Sequence, residues 1–398
     1  RSIRENPRFR THFLTLNPLG TVMSELIRVA QVVGRMMGGG VEATVMNHYR
    51  HIDHSRIQFD FIVQNDSTVV PEDEIKALGG RVFTIPSYKH LSAYINACEQ
   101  LFCDLKPTIV HSHMNALSVF PLGAAKRAGV PVRIAHSHST SNPREYTKTA
   151  VKMALRPFAK VYPTHYAACS HYTAQWLFGE KLDAAGKVRI IRNAIEPEIF
   201  RFNPMVRAAK RAELGVADNQ LLIGQVGRMC FQKNQLFTLD VFKQVLECHP
   251  NAVLALAGDG DMMKQVQARI HELGLERSVR MLGVRNDISS LYQALDVLAF
   301  PSTYEGLGMV SIEAQASGLP VIASNYVPRE ASIIPGLVKF FPLDKTDAWA
   351  VELAEMSPVA KRSDEKNAIC HAGYDIKDSA QQLGEWYSQL VDSSVIHS

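Results

Sequence analysis

The stretch that most limits what this chain can fold into is residues 296–324, DVLAFPSTYEGLGMVSIEAQASGLPVIAS. Asp296 to Phe300 is a short apolar run of the kind a buried parallel strand shows. Pro301 and Ser302 stop it, and a glycine-containing loop, Glu305 to Gly308, follows. Met309 to Ser317 reads as a helix that Gly318 and Pro320 end. Val321 to Ser324 begins the next strand. The spacing predicts one βαβ unit, with Glu305 in its loop and Glu313 in its helix.

A helix N-terminus offers unpaired N–H groups and the positive end of a dipole, so it can hold a phosphate. Gly306 and Gly308 let a ligand approach the backbone. Carboxylates repel a phosphate but accept hydrogen bonds well from sugar hydroxyls. A nucleotide diphospho-sugar would use all of these groups. The same spacing also fits two solvated glutamates that favour a helix start.

The segment YEGLGMVSIEAQASGLPVIAS resembles the E-x7-E signature of the retaining glycosyltransferases of family 4, which have the GT-B fold. The resemblance implies an α/β chain of two Rossmann-like domains facing across a cleft, with a C-terminal helix returning to the first. It implies that Glu305 contacts donor-sugar hydroxyls and Glu313 the nucleotide ribose. The backbone N–H groups of Gly306, Leu307, Gly308 and Met309 would contact the donor.

A chain of 398 residues is long for one domain, and two domains are the natural expectation. No uninterrupted apolar run approaches the roughly 18 residues that a membrane span needs. The six cysteines are scattered without metal-ligand spacing, which suits a reducing cytoplasm. Residues 1–200 carry 24 Lys and Arg against 16 Asp and Glu, a balance of +8, and the rest carry 19 against 23, a balance of −4. A basic first half is expected to meet an anionic surface or substrate.

Residues 1–23 are expected to be an extension, with Met23 just before the first strand, Leu26 to Val33. Residues 24–200 then form the acceptor domain, 201–378 the nucleotide-sugar domain and 379–398 the closing helix. Gly38, Gly40 and Ala43 formally satisfy G-x-G-x-x-A, a weak dinucleotide fingerprint. In the resembling enzymes a Gly-Gly loop stands here at the interdomain cleft, which makes Gly39 and Gly40 donor-site candidates; a plain tight turn is the alternative. Strands at 59–63, 82–85, 108–111, 132–135, 166–170 and 188–191, with helices at 91–103 and 116–127, predict a parallel sheet covered on both faces.

Two His-Ser-His triplets, 111–113 and 136–138, end strands of this sheet, where ligands of open α/β sheets sit. Zinc is the rival reading, but no clustered Cys or acidic partner accompanies them. His136 stands where the resembling enzymes have a histidine that contacts the donor sugar; His111 and His138 are further candidates. Lys148, Lys152, Arg156 and Lys160 recur at four-residue spacing, predicting a basic stripe on a helix that Pro157 interrupts late. The stripe fits either contact with an anionic membrane or an ordinary solvated face.

In the second half, a strand at 221–226 runs into Gly227-Arg228 and then Lys233-Asn234. Two cations five apart after a strand end make a sensible diphosphate clamp. The resemblance places the donor diphosphate on Arg228 and Lys233. Asp259 and Asp261 form a nominal D-x-D, but the two cations already supply positive charge, and no metal or other cofactor is expected. The resemblance assigns the base to backbone groups near Val284 and Arg285.

The sequence therefore predicts a retaining, metal-independent hexosyltransferase using a nucleotide sugar, with UDP expected, and a glycan or lipid-linked acceptor. Its resemblance is closest to bacterial exopolysaccharide and capsule enzymes. The expected location is cytoplasmic, peripheral on the inner face of the membrane, with no nucleic-acid partner. A nucleotide-sugar epimerase or phosphorylase on the same scaffold is the alternative, followed by an NAD-dependent oxidoreductase using the Gly38 loop and a catalytically silent partner subunit.

Overall fold

The structure is a computed structural model that describes residues 26–140, 146–358 and 362–396. The expected extension at 1–23 lies outside the described residues. Among the described residues, thirteen strands make two sheets, and every strand pair is parallel.

The first sheet contains β1 (Ile27–Gly34), β2 (Ile57–Gln64), β3 (Arg81–Ile85), β4 (Ile109–Ser112), β5 (Val132–Ser137), β6 (His165–Ala168) and β7 (Val188–Ile190), in the order β3-β2-β1-β4-β5-β6-β7. The second contains β8 (Leu222–Val226), β9 (Val253–Ala257), β10 (Val279–Gly283), β11 (Val297–Phe300), β12 (Val321–Ser324) and β13 (Val338–Phe341), in the order β10-β9-β8-β11-β12-β13. Parallel neighbours need crossovers, and the helices between strands supply them, so both faces of each sheet are covered and the central strands are largely buried. Every residue of β2, IQFDFIVQ, is buried. Its one acid, Asp60, is held by Arg81 at 2.6 Å and Arg28 at 3.0 Å.

In both sheets the strand order reverses once, between β1 and β4 and between β8 and β11. Ligands of doubly wound sheets sit beyond the carboxyl ends of strands at such points. The first switch point is flanked by the glycine loop after Gly34 and by the first His-Ser-His triplet. The second is flanked by Gly227-Arg228 and by the loop carrying Glu305.

The chain passes between the sheets twice, side by side: the Ile195 N–H donates to the Tyr374 carbonyl and the Ile376 N–H to that of Ile195, both at 2.9 Å. The last helix, Ile376–Ile396, then lies on the first sheet, burying Leu383, Tyr387 and Leu390 with Val29, Phe59 and Ile134 in one apolar cluster. Two doubly wound sheets joined in this way are the GT-B arrangement. Among the described residues, no helix is long and apolar enough to cross a membrane.

Two expectations are corrected in detail. The strand expected to reach Ser170 ends at Ala168, because Ser170 caps the helix His171–Phe178 by accepting from the Thr173 N–H. The basic stripe does not share one helix. The α-helix Tyr146–Leu155 gives way to a 3-10 turn, Arg156–Lys160, since Pro157 lacks an N–H and its ring blocks the next α-turn. Lys152 turns back to donate to the Thr140 carbonyl at 3.0 Å, and Arg156 lies over the Trp176 ring at 5.6 Å. The side chain of Lys148 lies outside the described residues.

Candidate active site

Two loops of the second sheet are joined to each other at its switch point. After β8, the turn Cys230–Asn234 closes with the Lys233 N–H on the Cys230 carbonyl. The loop after β11 docks on it: the Thr303 N–H donates to the Gln232 carbonyl at 2.8 Å, Gln232 Nε2 to the Tyr304 carbonyl at 3.0 Å, and Asn234 Nδ2 to the Pro301 carbonyl at 3.3 Å. These bonds set Lys233 against Glu305, Nζ to Oε1 at 2.6 Å, with Nζ also 5.3 Å from the centre of the Phe300 ring. Both side chains are largely buried, at 18% and 8% exposed. A dry pair of this kind is held by geometry and neighbours rather than by charge attraction alone.

Gly308 begins the helix Met309–Ala316 at φ +96°, a conformation that favours glycine, and Leu307 anchors the loop in the core. Glu313, one turn into this helix, accepts from the Tyr292 hydroxyl at 2.8 Å. Burial raises its carboxyl above the usual range, opposed by that bond and by the Lys233 charge.

The same loop meets the first domain. The Gly306 carbonyl accepts from Ser170 Oγ at 2.7 Å, and the Glu305 carbonyl from Thr140 Oγ1 at 3.4 Å. A Cβ on Gly306 would overlap the His138 carbonyl oxygen, so only glycine allows this approach. Arg228, exposed, faces the first domain's glycine loop: a Cβ on Gly39 would stand 3.1 Å from its Nη2. Arg228, Lys233, Glu305 and the Gly39 loop thus converge across the cleft.

One participant escapes the sequence reading. Glu42, in the first turn of the helix Gly40–His51, accepts from the Met37 N–H at 2.9 Å and from the Gly39 N–H. Its carboxylate occupies the loop amides that an anion would otherwise use. The signal was its place three positions after the cap, where a capping box puts an acid.

Other candidates fall at the rim. Val284 is 76% exposed, and the Arg285 side chain is held by Asp287 at 2.6 Å and Glu213 at 2.9 Å. Asp259 and Asp261 are both exposed, and Asp259 Oδ1 accepts from the Gly260 N–H at 2.7 Å in a local turn.

His136 is buried and lies among three other histidines on the adjacent ends of β4 and β5. His111 Nε2 is 3.0 Å from His136 Nδ1, and His113 Nδ1 is 2.8 Å from His138 Nε2. Burial first, and then repulsion from neighbouring imidazoles including His48, holds all four well below the usual imidazole range, His138 at about 3. Nitrogens of His111, His113 and His136 lie within 4.8 Å of one another, close enough to be tested as a metal site. Both ring nitrogens of His111 and of His113 are already hydrogen-bonded, to Tyr387, His136, Gln31 and His138. Ligation would break those bonds, so the cluster reads as a hydrogen-bonded imidazole network.

Residues 38–199 match the family described as Glycosyltransferase Family 4, and residues 206–350 match Glycosyl transferases group 1. The "Putative glycosyltransferase EpsF" of Bacillus subtilis (strain 168) is 32% identical over 369 residues, which cover 91% of this chain and 96% of that one. An Escherichia coli UDP-Gal:α-D-GlcNAc-diphosphoundecaprenol α-1,3-galactosyltransferase is 25% identical over 315 residues, covering 75% and 79%. Among solved structures, Anabaena HepE in complex with UDP superposes with a TM-score of 0.69 at 21% identity, covering 91% of this chain and all of that one. The matched segments, the likeness to EpsF along nearly the whole chain and the two facing sheets agree: this chain belongs to the family 4 glycosyltransferases and has their GT-B fold.

Proposed function

We propose that the chain is a retaining, metal-independent hexosyltransferase that takes a sugar from a UDP-sugar and passes it to a glycan or lipid-linked acceptor. The observation that carries this reading is the convergence of Arg228, Lys233 and Glu305 at one switch point, facing the Gly39 loop. The two cations would hold the donor diphosphate, Arg228 as a fork and Lys233 as a point charge. Lys233 would then share its charge with the diphosphate, freeing Glu305 to accept from sugar hydroxyls. Glu313, beside Tyr292, would take the ribose hydroxyls, and backbone near Val284 and Arg285 the base. The N–H groups at Gly306 to Met309 would complete the donor site, with Gly39 and Gly40 opposite and His136 nearby.

In the retaining step, the acceptor oxygen bonds to the anomeric carbon on the face from which the diphosphate leaves. The bond from that carbon to the phosphate oxygen breaks, and the acceptor proton passes to the departing oxygen. The protein's part is electrostatic and positional: stabilising the charge that grows on the diphosphate.

HepE has been seen with UDP and with UDP-glucose, and the E. coli relative's name specifies a UDP-sugar donor and a lipid diphosphate acceptor; both support the corresponding halves of this reading. A lipid-linked acceptor also suits the surface around Arg156 and Lys160. These cations share a groove with Met153, and Val151, Phe158 and Val161 are exposed on the same segment. We place the peripheral contact with anionic lipid there, on the cytoplasmic leaflet.

The test is transfer from a panel of UDP-sugars to short-chain lipid diphosphate sugars as acceptors, with the product's anomeric configuration read by NMR. The expected product keeps the donor's configuration. An inverted product would contradict the retaining step, and epimerisation of the donor without acceptor would contradict the transferase reading.

A further inference from the structure

The four buried histidines are joined to a single amide. Gln31, on β1, has its Nε2 3.1 Å from the Tyr387 hydroxyl and its Oε1 2.8 Å from His113 Nε2. From Tyr387 one line runs through His111 Nδ1 at 2.7 Å to His136 Nδ1. From His113 the other runs to His138 Nε2. The two lines end on buried atoms with no hydrogen-bond partner among the described residues, His136 Nε2 and His138 Nδ1.

Elementary donor and acceptor accounting fixes both ends. An amide oxygen only accepts, so His113 carries its proton on Nε2 and accepts on Nδ1. His138 must then donate from Nε2, which leaves its Nδ1 a bare lone pair. On the other line the amide nitrogen donates to Tyr387, whose hydrogen is satisfied by going to His111 Nδ1. His111 then donates from Nε2 to His136 Nδ1, and His136 Nε2 carries a hydrogen. Were the amide turned over, every bond in both lines would reverse. The two ends stay opposite in either case, because they start from opposite ends of one amide.

A buried donor or acceptor without a partner is costly, so a pair of them, one of each sign, calls for a ligand that can both donate and accept. A hydroxyl does both. We infer that Gln31 and Tyr387 are positioning residues that fix opposite hydrogen-bonding polarity at His136 Nε2 and His138 Nδ1, presenting an N–H and a lone pair to hydroxyls of the bound donor sugar. The sugar as partner rests on the proposed transferase reading; the polarity does not. The backbone of His138, the last residue of one line, abuts Gly306 in the proposed donor loop. The closing helix therefore contributes, through Tyr387, to the chemistry of a cleft it does not itself reach in sequence.

The test is imidazole nitrogen NMR on the full chain with labelled histidine, each of the four assigned by single substitution. With the amide as placed, all four rings carry the proton on Nε2; with it reversed, all four carry it on Nδ1. Tyr387→Phe should turn His111 and His136 into a tautomer mixture and leave His113 and His138 as they were. Unlike tautomers for His136 and His138 in the parent, or an unchanged His136 in Tyr387→Phe, would overturn the relay. UDP-glucose and UDP-galactose, each compared with UDP alone, should shift His136 Nε2 and His138 Nδ1. A donor that raises the melting temperature without moving either nitrogen would overturn the sugar contact. Failure of every donor to bind would instead overturn the transferase reading, and with it the sugar as partner, while the tautomers still decide the relay.

Discussion

Lys233 Nζ lies 2.6 Å from Glu305 Oε1, although 72 positions separate the two residues in the chain. The pair is largely dry, and it joins the loops that follow β8 and β11. It is therefore a structural contact and, in the proposed mechanism, the point where the donor's phosphate and sugar ends are told apart.

These two roles separate by mutation. Lys233→Ala and Glu305→Ala should each lower transfer at least ~100-fold, since a dry transition-state contact is worth a few kcal/mol. Each also leaves a buried partner unpaired, so each should lower the melting temperature. The double variant Lys233→Met/Glu305→Gln should recover stability but not turnover, as read by thermal melts and initial rates. Parent-like turnover in a folded variant would remove the residues from the site.

Gly306→Ala tests the contact between domains. Its φ is not in the left-handed region, so the added methyl acts through the His138 carbonyl oxygen it would strike. The closed arrangement should be lost, with a larger radius of gyration in solution scattering and a drop in kcat/KM of at least ~10-fold. An unchanged radius and unchanged rate would show that the loop does not need this approach.

The buried histidines make the fold sensitive to acid. His48 is held at about 4, by burial first, and the four-histidine network stays neutral for the same reason. In the unfolded chain they titrate near 6.5, so the unfolded state binds more protons below that pH. Stability should be fully present above 6.5 and fall as the pH drops toward 4. At pH 5.5, one unit below the unfolded value, unfolding should take up roughly 4.5 protons from these five groups, giving a steep slope of stability against pH. Chemical denaturation at several pH values measures it; a flat profile between 6.5 and 5 would contradict neutral burial.

Chelation should leave turnover unchanged. Arg228 and Lys233 supply the positive charge in the proposed site, while Asp259 and Asp261 are exposed and Asp259 closes a local turn. Loss of rate in EDTA, restored by Mg²⁺ or Mn²⁺, would make the two aspartates ligands.

Much of this was legible along the chain, and the reason is locality. The strand, loop and helix around Glu305 follow from apolar runs, glycine and proline within 29 residues, and they appear as β11, Met309–Ala316 and β12. The α/β alternation likewise gave the two parallel sheets. What stayed hidden depends on contacts between distant segments. The two His-Ser-His triplets were visible, but His111 meets Tyr387 from 276 positions away, and no pattern in either segment announces the other. Glu42 drew no reading from the sequence, yet its carboxylate accepts from the glycine-loop amides of Met37 and Gly39. The four-residue spacing of Lys148 to Lys160 suggested one stripe, and Pro157 divides it between an α-helix and a 3-10 turn.

The central claim is that Arg228 and Lys233 hold the diphosphate of a UDP-sugar. Titration calorimetry of UDP and UDP-sugars into the parent, Arg228→Ala and Lys233→Met measures this directly. The account predicts binding to the parent and a loss of at least ~10-fold in affinity in each variant, or about 1.4 kcal/mol. Failure of UDP and every UDP-sugar to bind the folded parent, or equal affinity in all three proteins, would contradict it.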